Sequence, residues 1–69
     1  MKDTLARPLT LWERRLLREL ATGATAIAIA HRHGLDVAQV RRQVRALRDR
    51  FGARTTIQAV AMAVRRGLV

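Results

Sequence analysis

Residues 36–52 constrain the fold more than any other stretch, because they read as one long amphipathic helix with both ends marked. Val37, Val40, Val44, Leu47 and Phe51 recur at spacings of three and four, which gathers them into a single buried stripe on a 3.6-residue turn. Asp36, with Gln39 three residues later, opens the segment and Gly52 closes it. Arg41, Arg42, Arg45 and Arg48 fall on the other side, so the expected helix spans 36–51 with a valine face inward and an arginine face outward.

Three shorter helices are expected around it, at 11–21, 26–32 and 56–66, and no strand pattern competes. In the first, Trp12, Leu16 and Leu20 repeat at four with Leu17 between, Thr10 and Glu13 form a capping box, and Gly23 ends the run. The second starts at Thr25, a suitable N-cap, and stops at Gly34. The last has a second capping box, Thr55 with Gln58. Ile57, Val60, Ala61 and Val64 are its expected inner stripe, and Arg65 and Arg66 sit in its final turn, where the helix dipole favours cations. The fold class is therefore all-α, a four-helix domain over 9–69 behind a short arm at 1–8.

A chain of 69 residues supports only one small core. It has no cysteine, which removes disulfides and thiolate metal sites and fits a reducing compartment. No run approaches the length of a membrane span or a secretory leader, so a soluble, cytoplasmic protein is expected. The only hydroxyls belong to threonines, mostly at caps or turns, and the five carboxylates are scattered, so no catalytic set and no cofactor are expected. His31 and His33 are two apart, which on a helix points them in different directions, and no further metal ligand accompanies them.

The charge is more informative. The net charge is +9, and of the 14 basic residues all but Lys2 are arginine. A polyanion is the usual partner of such a field. Between 36 and 54 there are six arginines against Asp36 and Asp49, which concentrates the charge on the third helix. The second and third segments join through His33, Gly34 and Leu35, the pattern of a helix-turn-helix whose second helix enters the DNA major groove. Arginine reads guanine bidentately, so a bias toward G·C-containing sites is expected. With Trp12 and Phe51 the only Phe, Trp or Tyr residues, there is no basis in the sequence for a base-stacking platform for single strands.

Together these residues resemble the LuxR or GerE type of helix-turn-helix domain over about 9–69. The resemblance is carried by LTLWERRLL at 9–17, ATG at 21–23, IA at 29–30, GL at 34–35, valines at 40 and 44, and above all FGARTTIQAVAMAVRRGLV at 51–69. It implies a bacterial transcription regulator, here free-standing, whose third helix reads DNA in the major groove and whose fourth helix mediates dimerisation. By position it assigns base contacts to Arg41, Arg42 and Arg45, and phosphate contact or capping to Thr25 and Gln39. The chain departs from the pattern at Trp12 and Arg15, which replace an Arg and Glu pair, at Ala26, Ile27 and Ala28, which replace a polar trio, and at His33, which occupies a usually aliphatic core position.

The expected function is sequence-specific binding of double-stranded DNA by a homodimer at the nucleoid. Arg48, Arg50 and Arg54 are expected to attract phosphate, and the other side of the fourth helix, Ala59, Met62 and Ala63 with Arg66, is expected to form the dimer seam. Two other readings share the fold: an adaptor that binds RNA polymerase or another regulator through Trp12 and Ile27, and non-specific coating of nucleic acid by charge alone.

Overall fold

A computed structural model describes residues 8–69 and forms them into α1 (Leu11–Ala21), α2 (Ala26–His33), α3 (Val37–Phe51) and α4 (Thr56–Arg65), with no strand among the described residues. Relative to expectation, α2 gains a residue at its end, α3 starts after Asp36, and α4 stops one residue sooner. The arm expected at 1–8 lies outside the described residues except for Pro8, which is exposed. No described helix is long and apolar enough to cross a membrane.

The starts of the helices are set by side chains that take the free amides of the first turn. The box at α1 is complete: Thr10 Oγ1 accepts from the Glu13 amide at 3.0 Å, and Glu13 Oε1 accepts from the Thr10 amide at 2.9 Å. Thr25 caps α2 through the Ala28 amide at 3.1 Å, and Asp36 caps α3 through the Ala38 amide at 3.0 Å. Only half of the expected box at α4 forms. Thr55 Oγ1 accepts from the Gln58 amide at 3.0 Å, but Gln58 Oε1 reaches past the cap to the Arg54 amide at 2.7 Å.

The ends are set by the four glycines, all at positive φ, one after each helix. Gly34 shows why. With φ at 66°, it lets the Leu35 amide fold back onto the Ala30 carbonyl at 2.8 Å, which turns the chain from α2 into α3 within three residues.

Packing runs from α2 to α3, α3 to α4 and α4 to α1. Leu16, Leu17, Ile29 and Val40 are fully enclosed, and Leu47, Phe51, Ala30, Ala59 and Ala63 complete the buried set with Leu9 at its edge. Burying each of the four large residues contributes about 1.5–3 kcal/mol. The valine stripe of α3 is inward as expected, with Val37 and Val44 half-buried against the core.

In α4 the expected phase is largely reversed, although Val60 of the expected inner stripe does pack against the core. Ala59 and Ala63 are 2% and 0% exposed, Met62 packs against the core, and the Arg66 guanidinium lies over the Phe51 ring at 5.6 Å. Three of the four residues expected at a dimer seam, Ala59, Met62 and Ala63, therefore face inward, while Arg66 stays exposed just past the end of α4. The outer side carries Ile57, 82% exposed, with Ala61 and Val64. The reason is steric. Leu16, Leu17, Leu47 and Phe51 from the neighbouring helices already fill the interior, and α4 packs against both α1 and α3 by presenting two alanines one turn apart.

A half-buried polar cluster ties α1 to α2 and α3. The Trp12 indole donates to Gln43 Oε1 at 2.7 Å and meets the His33 ring edge-on at 5.1 Å. His33 Nε2 donates to Glu19 Oε2 at 2.6 Å, and the Arg32 guanidinium donates to Glu19 Oε1 at 2.8 Å. The hydrogen bond from His33 is the largest influence on Glu19. It outweighs the opposing effect of burial and, with the nearby charges of His33, Arg32 and Arg15, holds the carboxyl below its ordinary value.

Candidate nucleic-acid interface

The outward face of α3 exists because Val40, Leu47 and Phe51 commit the opposite side to the core. Arg41, Arg42 and Arg45 are consequently exposed and Arg48 is half-buried. The four side chains border an open groove of about 570 Å³, whose floor and walls include Leu20, Ala24, Ala26 and Val44, with Thr25 and Thr56 at its margins. None of the described lining residues is acidic. Four guanidiniums in one concavity with no carboxylate among them make a strongly positive trough, and each offers the planar fork that suits phosphate or the guanine edge.

Helix starts reinforce the sign. Thr25 is the N-cap of α2 and Thr56 is the first residue of α4, so two N-terminal ends, each carrying partial positive charge, converge on the same groove. The Thr25 hydroxyl already accepts from Ala28, which leaves its O–H as a donor toward the groove.

Not every expected residue joins this face. Gln39 is exposed on the first turn of α3 and Arg54 is exposed in the turn before α4, both outside the groove lining. Arg50 belongs elsewhere: its guanidinium donates to Glu13 Oε1 at 3.1 Å and is mostly covered, so it joins α3 to α1 rather than attracting phosphate. Thr56 was missed, although its place beside the Thr55 cap is a sequence signal that it stands at a helix start. Gln43 was also missed. Its partner, Trp12, is 31 residues away, and no local pattern announces such a pair.

The two apolar residues expected to meet a partner separate. Ile27 is 54% exposed on α2, whereas Trp12 is half-buried with its N–H bonded inside the molecule. His31 is exposed and His33 is engaged by Glu19, so the two histidines share no site. No known family profile, curated protein or solved structure matches the chain, and the functional reading rests on the arrangement of its own residues.

Proposed function

We propose that this protein is a sequence-specific, double-stranded DNA-binding transcription regulator that docks the arginine face of α3 in the major groove, in the manner its resemblance to the LuxR and GerE type implies. The observation that carries the reading is the acid-free groove in which Arg41, Arg42, Arg45 and Arg48 meet the N-terminal ends of α2 and α4. The action is binding, with Arg41, Arg42 and Arg45 reaching base edges and Arg48 and Thr25 holding the backbone beside them. It takes place in the cytoplasm, where a bacterial chromosome lies.

A homodimer accompanies this reading, now through the exposed stripe Ile57, Ala61 and Val64 of α4. Two recognition helices would then enter the duplex about one helical turn, roughly 34–36 Å, apart.

Selection of bound sequences from a random duplex pool, followed by titration of the selected and scrambled duplexes, tests the proposal. Enrichment of a G·C-containing motif is expected, as is Arg45→Ala weakening the selected duplex by about 1–3 kcal/mol without a change in melting temperature. Equal affinity for both duplexes at every salt concentration would reduce the protein to a charge-driven coat.

A further inference from the structure

The positive charge is not confined to α3. Leu11, Arg15 and Arg18 recur at spacings of four and three along the side of α1 that faces away from the core, and all three are exposed. With Trp12 and Arg14 they line a groove of about 370 Å³. Leu11 is 87% exposed, the most exposed large apolar residue among those described. Trp12 continues this surface on its other flank, where it borders a recess with Leu35 on the turn before α3.

The carboxylates of α1 do not balance these cations. Glu13 is turned to the Thr10 cap and to Arg50, and both oxygens of Glu19 are taken by Arg32 and His33. Arg15 contributes to holding Glu19 ionised, but no described carboxylate forms an ion pair with Arg14, Arg15 or Arg18. Arg14 and Arg18, one turn apart, repel each other along the helix, and so do Arg15 and Arg18, a cost that among the described residues only the attraction of Arg15 to Glu19 partly offsets.

We propose that the outward face of α1 is a docking surface for an acidic amphipathic helix of a partner protein, with Leu11 and Trp12 receiving its apolar residues and Arg14, Arg15 and Arg18 its carboxylates. The occupant follows from complementarity. Three guanidiniums with no ion-pair partner among the described residues favour an anion, and an exposed leucine beside a tryptophan favours apolar surface at the same place. A helix with Glu and Leu alternating by turns supplies both within one stripe, in the helix-in-groove mode. A duplex satisfies the arginines alone and leaves Leu11 facing phosphate and water. The surface belongs to α1 and is separate from the α3 groove, so the inference stands whether or not α3 binds DNA.

The test uses the full chain and a synthetic helical peptide of Glu and Leu repeats, with a Lys-for-Glu version as control. Peptide anisotropy and the emission of Trp12, the only tryptophan, report binding. Saturable binding of the acidic peptide with a blue shift of Trp12 is expected, and none for the basic control. Arg15→Ala with Arg18→Ala should weaken it about tenfold, the scale of two exposed ion pairs, and Leu11→Ala should weaken it further. Arg41→Ala with Arg45→Ala should leave it unchanged. Circular dichroism verifies that each variant remains folded. The proposal is overturned by an acidic peptide that binds no better than the basic one, by binding that survives the α1 substitutions, by equal loss in the α3 variant, or by displacement of the peptide by duplex DNA, which would assign α1 to nucleic acid.

Discussion

Glu19 shows how one side chain can stabilise the fold through its charge. Its folded pKa lies below the ordinary value of 4.5 because His33 and Arg32 favour the ionised form. An unfolded chain restores that ordinary value, so the stabilisation is complete above about pH 4.5 and is lost as pH falls through the lowered folded value. Glu19→Gln removes the titration and weakens the bonds to Arg32 and His33. Thermal melts followed from neutral pH downward should show the variant less stable near neutrality, with the two melting curves converging in acid. A gap that stays constant through the acid range would assign Glu19 a packing role only. Gly34 acts through the backbone instead. A Cβ added there meets nothing within 4 Å, yet φ is 66°, so Gly34→Ala should cost about 1–2 kcal/mol in a denaturant titration from conformational strain alone.

At the scale of elements, α4 separates what size suggests from what packing requires. Ala63 has no exposed surface, so Ala63→Leu forces extra volume into a filled interior and should destabilise by about 1–3 kcal/mol. Ile57→Glu touches only the outer side and should leave the unfolding free energy within about 0.5 kcal/mol of the parent while converting a dimer to a monomer in light scattering. An unchanged mass removes α4 from the interface. The number of helices and nearly all their ends were legible in the sequence, since Thr10, Thr25, Asp36 and Thr55 mark starts and each glycine marks a stop by local chemistry. The face of α3 was legible because valines and arginines separate cleanly. The face of α4 was not, because both of its sides are apolar and only its neighbours decide which side is buried. The same limit hid the Arg50 to Glu13 pair, where an arginine on α3 spends its charge on α1. It also hid the contacts among Trp12, His33 and Gln43, which join three helices through residues unremarkable in their own segments.

Over the whole molecule, the net charge of +9 includes two arginine clusters, on α1 and on α3, that solution measurements can distinguish. A duplex docked on α3 releases condensed counterions for each phosphate neutralised, and the logarithm of affinity falls with the logarithm of salt concentration by about 0.9 per contact. Arginines that touch DNA therefore contribute to the slope, and arginines that merely raise the overall charge do not. Replacing Arg48 by Ala should flatten the slope by about one and weaken selected and scrambled duplexes alike, as expected of a backbone contact. Replacing Arg15 and Arg18 together removes more charge than that single change but lies outside the α3 groove, so the slope for DNA should be nearly unaltered while binding of an acidic peptide weakens about tenfold. Affinity measured by anisotropy at several salt concentrations gives both slopes. If the α1 pair changes the DNA slope as much as Arg48 does, the two faces act as one continuous positive surface, and the division of labour between α1 and α3 fails with it.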